Sequence, residues 1–165
     1  MSGARLVWIA LALAGCGGGA NPAAPGSPPD LERAAIERGV IRDPASTDLT
    51  GLYARETDRL CIVRQGYGYR IGISSDYGNE IFCSGRGTVS RSGETLQIEL
   101  GQGCSFDARY DGDRIRLPGR VPAACQALCE RRVSLAGMEV TRLSDSVTEA
   151  LAMRDPRGHE LCAAN

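Results

Sequence analysis

From Thr50 onward apolar residues recur at every second position in short runs divided by glycine-bearing turns, which is the pattern of half-buried strands rather than helices. Cys61, Ile62 and Val63 lead through Gly66 to Tyr67, Tyr69, Ile71 and Ile73 at strict alternation. Cys83 leads through the Ser92-Gly93 turn to Leu96, Ile98 and Leu100. Cys104, Phe106, Ala108 and Tyr110 lead through Asp111-Gly112 to Ile115 and Leu117. Each segment reads as strand, tight turn, strand, so three successive hairpins are predicted. A strand near 50–54 precedes them and one over 133–141 follows. In the last, Val133 and Leu135 have one parity and Met138 and Val140 the other, so Gly137 is expected to form a bulge that restores the inward face. The total is about eight antiparallel strands, a mainly β domain built as a small barrel or a two-sheet sandwich. Alternation reports which face is buried and leaves closure open. Two short helices are expected within it, over 122–129 and from a Ser146/Glu149 capping box to about Arg154.

Upstream of the strands the pattern changes. A positive start ending at Arg5 is followed by nine apolar residues, Leu6 to Ala14, and by Leu13-Ala14-Gly15-Cys16. A membrane-crossing helix needs about 20 apolar residues, so the stretch reads as an export leader. The four residues resemble a bacterial lipobox. The resemblance implies cleavage before Cys16 and acylation of its thiol and new amino group, with leader 1–15 removed. Gly17 stands where an inner-membrane retention signal would otherwise lie, so the resemblance implies the periplasmic face of the outer membrane.

Residues 16–29 are rich in glycine and proline and carry no charge. Such a tether has ends about 20 Å apart on average and about 45 Å at full stretch. A short helix follows within 30–45, capped by Ser27 with Pro28 in its first turn and ended by Gly39. Leu31, Ala34 and Ala35 form its weak apolar stripe. Residues 46–165 form the single β domain.

Of the seven cysteines, six lie in that domain: Cys61, Cys83, Cys104, Cys125, Cys129 and Cys162. An even set in an exported chain predicts disulfides. Fifteen connectivities are open; Cys61 with Cys83, Cys104 with Cys125 and Cys129 with Cys162 is the pairing favoured here. The first four are separated by 22, 21 and 21 residues. Because the units share few residues, this is a period of hairpins and not of duplicated segments. A zinc reading is disfavoured, since Cys125 and Cys129 are not in C-x-x-C spacing and the chain has one histidine, His159.

Removal of Arg5 with the leader leaves 18 arginines against 20 acids, a net charge of −2, and the chain has no lysine. That balance calls for no nucleic-acid partner. Without lysine there is no Schiff base and no phosphate-binding P-loop. Gly66, Gly68 and Gly72 miss dinucleotide-binding spacing, no cofactor is implied, and His159 reads as a solvated or locally bonded tail residue. Asp107, Asp111 and Asp113 are expected to pair with Arg109, Arg114 and Arg116 rather than to bind calcium. Tyr67 and Tyr69, in phase with Ile71, read as core, with a ligand pocket as the alternative.

The segment most suggestive of binding is Ser84-Gly85-Arg86-Gly87, with Ser84 and Arg86 as the candidate binding residues. It partly resembles the Ser-Gly-x-Arg-Tyr loop of the membrane-bound c-type lysozyme inhibitors, which are small disulfide-bonded β lipoproteins. Here arginine follows Gly85 directly, Gly87 replaces the aromatic, and the lysine-rich and tryptophan-bearing strands are missing. A bulged strand whose glycines permit close packing is the structural alternative. The expectation is a lipid-anchored, non-enzymatic envelope protein that binds a periplasmic protein partner or supports an envelope assembly, with an inhibitor of wall-cleaving enzymes as its sharper form. The rivals are a carboxylate-dependent wall or lipid hydrolase and a lipocalin-like carrier. Converging acids would mark the first, an empty barrel the second, and a filled core with a protruding arginine loop the binder.

Overall fold

A computed structural model describes residues 30–38, 40, 46 and 48–163. The leader, Cys16, the tether, Ser27, Pro28 and Gly39 lie outside the described residues. The chain divides into two compact units, Met1–Asp43 and Pro44–Asn165. In the first, helix α1 spans Leu31–Glu37 with Asp30 at its N-cap; the Asp30 side chain makes no capping bond and no residue of the helix is buried.

The second unit is a closed antiparallel barrel in which each strand pairs with its neighbours in sequence: β1 (Gly51–Arg55), β2 (Asp58–Gln65), β3 (Gly68–Asp76), β4 (Phe82–Ser92), β5 (Thr95–Leu100), β6 (Cys104–Tyr110), β7 (Arg114–Arg116) and β8 (Glu139–Ser144). The barrel alternative therefore holds, and β1 to β8 pairing closes it through Tyr53 opposite Arg142. Inward positions Leu60, Ile62, Ile71, Ile73, Leu96, Ile98, Ile115 and Val140 are fully buried and fill the interior.

The end of the barrel that carries the β5–β6 turn is covered by the β7–β8 connection. A 3-10 helix, Ala123–Leu128, lies there, as the helix expected over 122–129. The strand expected over 133–141 starts only at Glu139. Gly137 does not bulge a strand; it sits in a turn at φ +74° and donates its N–H to the Pro118 carbonyl at 2.9 Å. Leu135 and Met138 still reach the core, so the burial was readable where the strand was not.

A second, smaller core lies outside the barrel wall. Outward-facing Cys61 and Val63 pack under Ala150, Met153, Leu161 and Cys162. Helix α2, Val147–Ala152, begins with Ser146 accepting the Glu149 N–H at 3.3 Å, and the Ser146 N–H itself donates to Ser144 Oγ at 3.0 Å. Beyond α2 the tail crosses the outer face of β3 at Gly72. A Cβ there would stand 2.5 Å from Leu161 Cβ and 2.8 Å from Cys61 Sγ, so only glycine lets the tail lie this close.

All six cysteines are bridged, as Cys61–Cys162, Cys83–Cys129 and Cys104–Cys125. Cys104–Cys125 is the expected pair and the other two correct the expectation. Cys61 lies opposite Gly72 and faces out, whereas Cys83 lies opposite Ser75 and faces in. With β3 between them they are about 9.6 Å apart at least, beyond the reach of a disulfide. Cys129 and Cys162 are separated in the same way, one joining the interior core and the other the outer one.

The arginines of the third hairpin also find other partners than the aspartates. Closure puts Glu139 directly across from Arg116, and Glu139 meets Arg116 at 2.6 Å, Arg55 at 3.2 Å and Arg114 at 3.7 Å. Arg109 pairs with Glu94 at 3.0 Å, while Asp111 accepts the Arg114 backbone N–H and Asp113 faces Arg142.

Candidate functional site

In β4 the alternation places Gly85 and Gly87 inward, opposite Ile73 and Ile71, and Ser84 and Arg86 outward. A Cβ on Gly87 would fall 1.8 Å from the Glu99 carbonyl oxygen, and one on Gly85 would fall 3.0 Å from Leu128 Cδ1. The two glycines thus bring β5 and the 3-10 helix against β4, as close packing predicts. The register with β3 runs without interruption from Tyr69 to Asp76, so the segment is a regular strand and neither a bulge nor a protruding loop.

The site arises where β5 stops short of β4. The last β4–β5 pair is Gly87 with Leu100, after which the Gly101 N–H donates to the Arg86 carbonyl at 3.2 Å. Toward its start β4 is flanked by the bridge to Cys129 and by the tail. The resulting cleft of about 350 Å³ is lined by Ser84, Arg86, Gln102, Leu128, Asp155 and His159, among others. Arg86 is exposed along it. Two disulfides brace the walls: Cys83–Cys129 beside Ser84, and Cys61–Cys162 next to Leu161 in the tail.

Asp155 organises the tail wall. Its carboxylate accepts the backbone N–H groups of Arg157 at 2.9 Å and His159 at 2.8 Å, and meets Ser84 Oγ at 3.2 Å and His159 Nδ1 at 3.1 Å. Burial would raise its pKa, but the His159 backbone bond, the imidazole and the Ser84 hydroxyl outweigh burial and hold the carboxyl below its ordinary value. His159 is locally bonded, as expected, with most of its ring exposed.

Serine, aspartate and histidine therefore meet here, but in the order Ser84, Asp155, His159. A hydrolytic triad needs the imidazole between the other two so that it can take the hydroxyl proton. Here the Ser84 hydroxyl is directed at a carboxylate, which orients it rather than activating it. Among the described residues no group of three or more His, Cys, Asp or Glu side chains is placed to hold a metal ion.

Sequence reasoning named Ser84 and Arg86, and they share this cleft. It missed Asp155 and Leu128, which reach the cleft through disulfides whose pairing no local pattern reveals. Tyr67 is not core: it stands wholly exposed at the β2–β3 turn, on the rim of the barrel mouth. Compared with known proteins, the chain matches no family model, no curated protein and no solved structure.

Proposed function

We propose that this is a lipid-anchored envelope protein, held through Cys16 at the periplasmic face of the outer membrane, whose barrel binds a partner and does not turn over a substrate. The observation that carries the reading is Arg86 itself, exposed on the outer wall in a disulfide-braced cleft over a filled barrel. A planar guanidinium in such a setting suits bidentate capture of a carboxylate. Leu128 offers an apolar contact beside it, so a partner segment carrying an acidic residue next to an apolar one fits best.

Two features weigh against the rivals. A carrier needs an internal chamber, and the inward side chains occupy that space. A carboxylate-dependent glycoside hydrolase needs two acids converging on one cleft, whereas Asp155 is the one carboxylate among the described residues lining the Arg86 cleft. The inhibitor form of the reading requires the arginine to enter another protein's cleft. A residue in the middle of β4 reaches outward by one side chain only, so the partner must bring its carboxylate to the barrel.

The test uses the acylated full-length protein as bait in a detergent-solubilised envelope extract. Arg86→Ala is expected to weaken capture of the bound partner about tenfold, with a stability change within about 0.5 kcal/mol. Cys16→Ser is expected to abolish incorporation of labelled fatty acid. Undiminished capture by Arg86→Ala would remove the binding reading, and undiminished labelling of Cys16→Ser would remove the anchor.

A further inference from the structure

The barrel has a second concavity, at the end opposite the 3-10 helix, that shares no residue with the Arg86 cleft. There Arg64, Tyr69, Val89 and Arg91 hold inward-facing positions in β2, β3 and β4 but are the last of their rows, so they form the mouth of the barrel. The mouth is a cleft of about 480 Å³ that also includes Tyr67, Ser90 and Gly93. Barrel mouths are a recurrent place for ligands.

The floor and one wall are fixed. Arg91 lies 4.9 Å from the centre of the Tyr110 ring, donates from Nε to the Gly93 carbonyl at 2.7 Å and from Nη1 to the Ser46 carbonyl at 3.3 Å. It closes the route inward, so a long apolar chain cannot descend into the barrel. Arg64 lies 5.0 Å from the Tyr69 ring centre, donates from Nη2 to Tyr69 Oη at 2.9 Å and faces Asp48 at 3.9 Å. Its side chain is nonetheless 60% exposed, and among the described residues its Nε and Nη1 make no hydrogen bond.

The rim carries the unexplained residue. Gln65 pairs with Gly68, so Gly66 and Tyr67 form a two-residue turn, and Gly66 at φ +57° meets its conformational demand. The turn asks nothing aromatic of position 67. Tyr67 is as exposed as a free side chain, and glycines on both sides leave its ring faces unshielded. A rigid two-torsion aromatic presented this way gains contact area at small entropic cost.

We propose that the mouth binds an anionic saccharide, one sugar ring lying on Tyr67 and its carboxylate or phosphate held by the Nε and Nη1 of Arg64. The shallow closed floor suits a flat polar ring. The aromatic face takes the apolar side of that ring, the strand-end backbone takes its hydroxyls, and the arginine fork supplies the charge recognition. The site recognises a ring with an acidic substituent, whether the acid is the carboxylate of a wall sugar or the phosphate of a glycolipid sugar.

The experiment is calorimetric titration of the full-length protein in micelles with three probes: a disaccharide containing N-acetylmuramic acid, glucosamine 1-phosphate and neutral chitobiose. At least one acidic probe is expected to saturate, and chitobiose to bind at least about fivefold more weakly. The acidic probe that saturates identifies the source. Tyr67→Ala should weaken it about tenfold with no shift in melting temperature, and Arg64→Gln should remove the preference over chitobiose. Failure of both acidic probes to saturate by about 10 mM overturns the proposal. So does binding that neither substitution changes.

Discussion

The guanidinium of Arg142 lies 4.5 Å from the centre of the Tyr53 ring, so the last strand of the barrel is joined to the first by a cation seated on an aromatic face. Arg142 also donates to the Thr50 carbonyl at 2.6 Å and to Tyr110 Oη at 2.6 Å, and meets Asp145 at 3.0 Å, with its side chain only 6% exposed. Burial disfavours its charge, but the two tyrosines and Asp145 more than compensate and push its pKa up.

Arg142→Leu should therefore leave the Thr50 carbonyl and the Tyr110 hydroxyl short of a donor at the mouth of the barrel. The expected loss is about 3 kcal/mol, or a fall of about 10 °C in melting temperature by circular dichroism. Arg142→Lys should recover less than half, because an ammonium cannot stack flat on Tyr53 while serving both oxygens. A loss below about 1 kcal/mol for the leucine variant would show that the arginine is not what closes the seam.

The three disulfides should rank by the chain they enclose. Cys61–Cys162 spans 101 residues and Cys104–Cys125 spans 21. Chain-entropy reasoning gives about 4.7 and about 3.3 kcal/mol for the two. Denaturant melts of the paired serine variants should show the larger loss for Cys61/Cys162, and thiol titration of the unfolded, unreduced protein should read near zero. An inverted ranking would mean that packing around the bridges outweighs the loop term.

Gly72→Ala tests the docking of the tail. Its methyl would collide with Leu161 and the Cys61 sulfur, neither of which is the free end of a flexible chain. A loss of about 1–3 kcal/mol is expected, with faster proteolysis after Arg154 or Arg157 while the barrel stays intact. Unchanged cleavage rates at those sites would show that the tail accommodates the methyl.

Asp155 makes the tail sensitive to acid. Its folded pKa is below the ordinary value of 3.8, so its stabilising effect is complete above that value and fades as pH falls through the lower folded one. Asp155→Asn should be less stable than the parent at pH 7 by about 2 kcal/mol. The gap should narrow below about pH 4 in parallel melts. A gap that stays constant down to pH 2 would assign the effect to shape and not to charge.

Much of the barrel could be read along the chain, because each strand of the central hairpins alternates cleanly and each turn carries its glycine at Gly66, Gly93 or Gly112. Closure could not, because it depends on β8, where hydropathy points the wrong way. Leu143 is 67% exposed and Arg142 is buried, the reverse of what an apolar residue beside a charged one suggests. Tertiary pairing with Tyr53 and Tyr110 decides that parity. The disulfides misled for a related reason: spacing along the chain suggested neighbours, whereas a shift of parity between Cys61 and Cys83 put them on opposite faces. Ser84 and Arg86 stood out locally, but the walls around them come from segments folded in from far along the chain.

The Cys61–Cys162 bridge also decides how the domain carries mechanical load. Tension entering from the amino-terminal side and leaving at the carboxyl terminus passes from Cys61 across the sulfurs to Cys162, bypassing residues 62–161. Only β1 and the first residues of β2 lie in the force path, and they are held by their ladders and by Arg142 on Tyr53. A pull can peel off β1 and the first residues of β2, but it cannot extend the chain between Cys61 and Cys162 until the bridge is reduced.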